Sequence, residues 1–120
     1  MAAAIDWTRL EERTVIPGFH GRFLHSEHMS FVLWRLDQGA ILPEHAHPHE
    51  QVVHVYSGEL EITVDGVTGR CGPGTVLVIP PHARHAGRVL AEASVMDVFT
   101  PVREDYRDGT PSVLAEALEG

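Results

Sequence analysis

Four histidines, a glutamate and a glutamine lie close together in the stretch HAHPHEQVVHVYSG, residues 45 to 58. Imidazole nitrogens are common protein ligands for transition metals. If the stretch begins as a β-strand, His45 and His47 point to the same side, about 6 to 7 Å apart along the backbone. Two imidazoles at that spacing can bind one cation, so the stretch predicts a metal site.

A third nitrogen can come from a second histidine cluster, PPHARH, at residues 80 to 85. This cluster follows a run that is typical of a β-strand, so His85 can reach the same point from a neighbouring strand. His82 lies in the proline-bounded connection, and we expect it to be exposed. We therefore predict that His85 completes a set of three histidines.

Glu50 and Gln51 are both candidates for a fourth ligand. Adjacent residues of a strand point to opposite faces, so only one of the two can face the metal. Gln51 shares a face with Val53 and Val55, whereas Glu50 shares the other face with His54. Register alone leaves the choice between Glu50 and Gln51 open.

Short strands separated by turns must position these residues. Asp65-Gly66 is a strong signal for a two-residue hairpin turn, because both central positions of that turn need positive φ. Short strands at this spacing predict an all-β fold, an antiparallel sandwich or small barrel. The β-rich runs are residues 30–37, 50–58, 59–70, 75–81 (a buried strand) and 93–101.

The 120 residues are enough for one domain, and we predict a single domain over 1–120 with short terminal extensions. The opening segment around Trp7 is expected to form a short helix or an arm. Residues 111–119 are expected to form a short helix, with Pro111 at its first position.

The single cysteine, Cys71, excludes a disulfide framework and a multi-cysteine zinc site.

The charge of the chain excludes one class of partner. The formal net charge is -8, whereas nucleic-acid binding requires a basic surface. All nine cationic residues are arginine, which excludes Schiff-base chemistry on lysine.

The sequence shows neither a signal peptide nor an apolar run of the ~20 residues that span a bilayer. We expect a cytoplasmic protein with no membrane partner.

The two histidine clusters resemble the two motifs of the cupin family, with glutamine where the first motif usually has glutamate. The resemblance covers about residues 30–100. It implies a double-stranded β-helix, or jelly-roll barrel, that holds a metal inside through His45, His47, Gln51 and His85. The spacing of the motif thus favours Gln51 over Glu50. The matching residues are Gly39-x5-His45-x-His47-x3-Gln51-x6-Gly58 and Gly74-x5-Pro80-x-His82-x2-His85.

A neutral amide ligand leaves the full charge of a divalent cation uncompensated. Such a centre should be a stronger Lewis acid and should attract anions more than one with three histidines and a glutamate. The expected cofactor is one divalent transition metal, namely Ni, Zn, Mn, Fe or Co. An acidic small molecule is the expected ligand.

The last predicted strand adds a second set of polar residues. From the residues alone, Asp97 and Arg103 form a structural salt bridge, with Phe99 in the core. The pattern also resembles a narrower group, the small cupins that ketonise 4,5-unsaturated monouronates, in HxHPHEQ followed by D-x-F-x3-R. That resemblance implies Asp97 as the acid/base, Arg103 as a clamp on the substrate carboxylate and Phe99 as a wall of the pocket.

Two other functions remain open. A cupin-type metal dioxygenase would need a redox-active metal, which metal analysis and oxygen uptake would reveal. A non-enzymatic sugar-binding or sensing barrel, with or without a metal, would show no turnover and would keep its ligand affinity when Asp97 is replaced by asparagine. The resemblance to cupins also implies a homodimer formed through an outward apolar sheet face, whose members are Val52, Tyr56, Met96 and Val98.

Overall fold

The computed structural model describes residues 4–109 of the chain. Strands make up 59% of the structure, and all paired strands run antiparallel. A single 3-10 turn precedes the strands and a short helix, α1, follows them. The elements are the 3-10 turn Trp7–Arg9, β1 Arg13–Ile16, β2 Phe19–His25, β3 Ser30–Leu36, β4 Ile41–His45, β5 Glu50–Val64, β6 Val67–Cys71, β7 Val76–Ile79, β8 His85–Thr100 and α1 Glu104–Asp108.

Two long strands, β5 and β8, connect the two layers of the barrel. The strands follow the order β1-β2-β3-β8-β5-β6, with β4 paired to β8 and β7 paired to β5. The C-terminal half of β8 pairs with β3 and with residues 50–55 of β5, whereas its N-terminal half pairs with β4 and with residues 59–64. Each long strand therefore contributes to both layers.

Gly58 allows β5 to bend between the layers. The pairing of β5 with β8 shifts register between Val55 and Leu60, and Gly58 lies inside this irregular segment with φ 83°. A Cβ atom at Gly58 would lie 2.2 Å from the carbonyl oxygen of Glu92. Only glycine combines this backbone conformation with such a close approach.

The interior of the barrel is filled by apolar side chains from both layers. The indole of Trp34 makes edge-to-face contacts with Phe19, Phe23 and Tyr106, with ring centroids 5.7, 5.8 and 6.4 Å away. Alternation along the strands selects the core residues. The fully buried apolar residues include Val32, Trp34, Leu36, Val53, Val55, Ile79, Val95 and Phe99.

The prediction of an all-β, antiparallel barrel is confirmed. The turn at Asp65-Gly66 has positive φ at both residues, 47° and 81°, as the hairpin requires. The expected burial of the strand within 75–81 holds for one face of β7 only. Ile79 is 1% exposed and Leu77 packs against the core, whereas Val76 and Val78, which alternate with them, point outward and are 57% and 55% exposed.

The terminal extensions differ in part from the expectation. The 3-10 turn at Trp7–Arg9 is followed by strands β1 and β2, which the sequence patterns did not indicate. The predicted helix at 111–119 lies outside the described residues, and the single domain over 1–120 stays a prediction. Within residues 4–109, no helix is long and apolar enough to cross a membrane.

The outward side of the layer containing β5, β7 and β8 is apolar. Tyr56, Val76 and Val78 are exposed there. Val52 is paired with both Val78 and Val98 on the neighbouring strands, so these side chains form a continuous row. We call this row and its neighbours His54, Tyr56, Val76 and Met96 the outer apolar face.

Candidate metal centre

His45, His47 and His85 lie together inside the barrel. His45 ends β4, His85 begins β8, and the two residues are paired across the strands. The ring centroid of His85 lies 4.1 Å from that of His45 and 4.9 Å from that of His47. One nitrogen from each histidine lies within 4.8 Å of the others, and all three residues are buried.

Backbone carbonyls fix the orientation of the three imidazoles. The Nδ1–H groups of His45, His47 and His85 donate to the carbonyl oxygens of residues 43, 49 and 83, over 2.8, 3.1 and 2.9 Å. A carbonyl oxygen can only accept, so the proton lies on Nδ1 and the lone pair on Nε2. The Nε2 atom of His85 is buried and has no hydrogen-bond partner within residues 4–109. This donor set fits a divalent cation, because histidines that bind a metal through one ring nitrogen usually donate a hydrogen bond from the other.

Gln51 brings a fourth donor atom to the same place. Its Oε1 lies 3.1 Å from Nε2 of His47, and the side chain is buried at 6% exposure. With the proton of His47 on Nδ1, two acceptor atoms face each other here, an arrangement that a cation between them would satisfy. Glu50 is exposed on the opposite face, as the register requires.

Burial keeps the histidines in the neutral form that can ligate a metal. Desolvation, reinforced by the neighbouring His85, lowers the pKa of His45 to about 3. Desolvation and the charge of Arg103 lower the pKa of His47 to about 4, and desolvation also lowers the pKa of His85. A metal can therefore bind at neutral pH without first displacing a proton.

The carboxyl group of Asp97 lies in the same cavity. Its Oδ2 accepts a hydrogen bond from the indole Nε1–H of Trp34 over 2.9 Å, whereas Oδ1 is buried without a hydrogen-bond partner among the described residues. Burial raises the pKa of Asp97 to about 6, against the opposing effects of Trp34, the nearby Gln51 amide and the Arg103 guanidinium. The group can thus exchange a proton near neutral pH.

Arg103 is buried at 1% exposure, and its salt-bridge partner is Asp105. The expected structural salt bridge with Asp97 does not occur among the described residues. The guanidinium carbon lies 4.8 Å from the ring centre of Phe99 and 4.1 Å from that of Tyr106. Arg103 and Phe99 both line the cavity that contains the histidines.

This cavity is small and largely apolar, with about 60 Å³ open to water-sized molecules. Polar side chains in its lining would suit a ligand with several oxygen atoms. They are His45, Gln51, His85, Asp97, Arg103 and Tyr106, together with Glu61 and Arg88, which form an ion pair with each other.

Three other histidines were weighed from the sequence; His54 and His82 lie apart from the centre, and His49 lies beside it. His82 is exposed, and the ring of His54 is close to that of Tyr56 on the outer apolar face, 4.4 Å between centroids. His49 is half-buried against His47 and Phe99, so it is less peripheral than a turn position suggests. Its carbonyl oxygen, not its ring, supports His47.

Sequence patterns missed three residues of the site. Trp34 and Tyr106 were missed because they reach the cavity from a strand and a helix remote from both histidine clusters. Asp105 was also missed, although one signal for it was present in the sequence: it is a carboxylate two residues after Arg103, close enough along the chain to form an ion pair.

The fold and the site together define a small antiparallel β-barrel with an interior centre suited to a divalent cation. A family model described as "Cupin domain" matches residues 32–99, more than half of the chain. The chain belongs to the cupin family.

Solved structures support the same assignment. The structure of KdgF from Halomonas sp. is 28% identical and superposes with a TM-score of 0.82, covering 88% of this chain and 99% of that one. An RmlC-like cupin from Shewanella frigidimarina is 29% identical, with a TM-score of 0.82 and coverage of 88% and 96%. Oxalate decarboxylase from Bacillus subtilis, at 22% identity and a TM-score of 0.72, shares the fold over 81% of this chain and 29% of its own. A search of curated protein sequences finds no significant match.

Proposed function

We propose that this cupin is a metal-dependent enzyme that ketonises 4,5-unsaturated monouronates or a closely related small sugar acid. The observation that carries the proposal is the placement of Asp97. Its Oδ1 is a buried carboxylate oxygen without a hydrogen-bond partner among residues 4–109, and Asp97 lines the same cavity as His45 and His85. The resemblance of the last strand to the uronate-ketonising cupins, and the fold shared with KdgF, agree with this assignment.

His45, His47, Gln51 and His85 would hold the metal. A divalent cation bound there would act as a Lewis acid that stabilises negative charge on the oxygen atoms of a ligand. Three imidazoles and one neutral amide suit Ni, Zn, Mn, Fe or Co. Because none of the four ligands is charged, the centre keeps its attraction for an anionic ligand.

Asp97 would perform the proton transfers of the reaction. In the ring-opened enol form of the substrate, ketonisation breaks an O–H bond, shifts the double bond from C=C to C=O and forms a C–H bond at the other carbon of the former double bond, so one proton is removed and one delivered. A carboxyl group with a pKa near the working pH can do both in turn. Trp34 holds one oxygen of Asp97, which directs the other towards the ligand.

Arg103 would bind the carboxylate of the uronate. A guanidinium can form two parallel hydrogen bonds to a carboxylate, and its burial beside Phe99 strengthens that interaction. Phe99 would form one wall of the pocket against the sugar ring. These roles leave Tyr106, Glu61 and Arg88 of the cavity lining without an assigned function.

The proposal is tested with unsaturated monouronates that a pectin or alginate lyase releases. Proton NMR follows loss of the vinyl signal in the presence of metal-loaded wild-type protein, Asp97→Asn and, as a control on the outer apolar face, His54→Ala. We expect turnover by the wild type and by His54→Ala, and a loss of at least about 100-fold for Asp97→Asn. Equal activity of all three proteins would refute the assignment of Asp97, and no turnover by metal-loaded wild type would refute the function.

We also propose that the protein is a homodimer that buries the outer apolar face. Stable dimer interfaces cover about 800 Å² per partner, and the exposed Tyr56, Val76 and Val78 offer a region without charge for this purpose. Light scattering should give twice the chain mass of 13.2 kDa. A monomer mass in that measurement would contradict the proposal.

A further inference from the structure

The guanidinium of Arg103 is held by a carboxylate of its own chain. Nε donates to Oδ1 of Asp105 over 2.9 Å and Nη2 donates to Oδ2 over 2.6 Å, which forms a two-point ion pair. The side chain of Arg103 is 2% exposed and that of Asp105 is 21% exposed. Such an enclosed, two-point pair fixes the plane of the guanidinium as well as its position.

Other contacts hold the rest of the residue. The backbone N–H of Arg103 donates to Oγ of Ser30 over 2.7 Å, and Ser30 is completely buried. The guanidinium packs against the rings of both Phe99 and Tyr106. Arg103 therefore has little freedom to choose another orientation while Asp105 is in place.

A guanidinium has five N–H donors, and two of them are used by Asp105 along the edge from Nε to Nη2. We propose that Asp105 is a positioning residue, which holds this edge so that the Nη1–Nη2 edge of Arg103 is presented to a ligand carboxylate in the cavity. The inference rests on the proposed function, because it assigns Arg103 a carboxylate to bind. It extends that function by making the anion site a pair of residues instead of a single arginine.

The opposite role for Asp105 is also chemically reasonable, and it predicts a result of opposite sign. If Asp105 were an internal substitute for the ligand, the ligand would have to displace it from Arg103. Removing the charge of Asp105 would then tighten the binding of anions. If Asp105 positions Arg103, the same change loosens their binding.

The test measures selectivity for a carboxylate and not turnover. Isothermal titration calorimetry compares D-galacturonate with its uncharged methyl ester as probes of the metal-loaded, full-length protein. The variant is Asp105→Asn, and the matched control is Glu104→Gln, whose carboxylate pairs with Arg107 on the surface of α1. We expect the wild type and the control to bind galacturonate more tightly than the ester. In Asp105→Asn the ratio of the two affinities should fall about tenfold, with the affinity for the ester unchanged.

A second measurement does not depend on any ligand. The side-chain Nε–H of Arg103 should give a slowly exchanging NMR signal in the wild type, because it is buried and bonded to Asp105. We expect the signal to broaden or disappear in Asp105→Asn, to return in part in Asp105→Glu, and to be unaffected in Glu104→Gln. Unchanged backbone amide spectra would show that all variants are folded.

The outcomes separate this inference from the proposed function. If the wild type prefers galacturonate and Asp105→Asn has equal or greater preference, the positioning role is overturned and the role of Arg103 stands. If the signal of Arg103 persists unchanged in Asp105→Asn, the positioning role is likewise overturned. A wild type without preference for the carboxylate overturns the assigned role of Arg103, and with it this inference.

Discussion

Trp34 donates its indole N–H to Oδ2 of Asp97 over 2.9 Å inside the barrel, across a separation of 63 residues in the chain. The hydrogen bond joins the aromatic core to the only carboxyl group among the described buried polar residues. It occupies one oxygen of Asp97 and leaves the other facing the cavity. The position of Asp97 therefore depends on the packing that holds the indole of Trp34 in place.

Gly21 controls the position of Trp34 from the neighbouring strand. A Cβ atom at Gly21 would lie 2.9 Å from two ring carbons of Trp34 and 2.9 Å from Cγ1 of Val32. We expect Gly21→Ala to displace the indole, shift its fluorescence and destabilise the protein by about 1–3 kcal/mol in urea unfolding. Gly69→Ala is the control, because nothing lies within 4 Å of its Cβ position. Equal stability of the two variants would contradict the close packing at Gly21.

Asp97→Asn should make the metal-free protein more stable at neutral pH. The pKa of Asp97 is about 6 in the folded state against about 3.9 in unfolded chains, so ionisation costs stability as the pH rises between these values. The cost reaches about 3 kcal/mol above pH 6, and asparagine avoids it while still accepting from Trp34. Urea unfolding at pH 4 and pH 7.5 should show the advantage of Asp97→Asn only at the higher pH. An advantage that is equal at both values would exclude ionisation of Asp97 as its cause.

His45→Ala and His85→Ala should lose the metal, because each removes one of three converging Nε2 atoms. His54→Ala should keep it, since His54 lies on the outer apolar face. His49→Ala should also keep it, because His49 supports His47 through its backbone carbonyl, which alanine retains. Elemental analysis of the purified proteins gives the metal content per chain. Loss of metal from His49→Ala would show that its ring is a ligand.

Removing the metal should lower the melting temperature of the wild type. A ligand that binds only the folded state stabilises it by about 4 kcal/mol at a thousandfold excess over its dissociation constant. For a domain of this size that corresponds to roughly 10 °C or more. Calorimetry with and without a chelator measures the shift, and His85→Ala should show none. A shift of similar size in His85→Ala would place the metal elsewhere.

Gln51→Glu should keep the metal but bind anions more weakly. The added carboxylate reduces the net charge of the centre and lies near Asp97, whose environment already includes Gln51. We expect the affinity for D-galacturonate to fall by about tenfold, with metal content unchanged. Glu50→Gln, on the exposed face, is the control for a change in charge and should match the wild type. Unchanged affinity in Gln51→Glu would contradict the importance of a neutral ligand.

The sequence predicted the metal centre better than the groups around it. The spacing of His45 and His47 predicted that they converge, although β4 ends at His45 and His47 lies in the connection that follows it. The choice of Gln51 over Glu50 came from the resemblance to the first cupin motif, and strand alternation along β5 agrees with it, since Gln51 is buried and Glu50 is exposed. Asp97 was identified by its position in an apolar run. Trp34 and Tyr106 could not be identified, because their contacts with the cavity depend on how remote elements pack.

The errors in the fold have a similar cause. The apolar run in β7 suggested burial on both faces, but only the face of Leu77 and Ile79 is covered by the core, and Val76 and Val78 point outward. Strands β1 and β2 have mixed polarity and are stabilised by pairing, β1 with β2 and β2 with β3, which no local pattern reveals. The short helix α1 has too few residues for a periodic signal.

The long strand β8 carries His85 at its first residue and both Asp97 and Phe99 near its last. Its partner β5 carries Gln51 opposite Phe99. Backbone amides of these two central strands should exchange with solvent only when the whole barrel unfolds. The entry of a ligand therefore cannot proceed by separation of these strands. Entry at an end of the barrel would leave the groups on β5 and β8 fixed relative to one another, among them Gln51, His85 and Asp97.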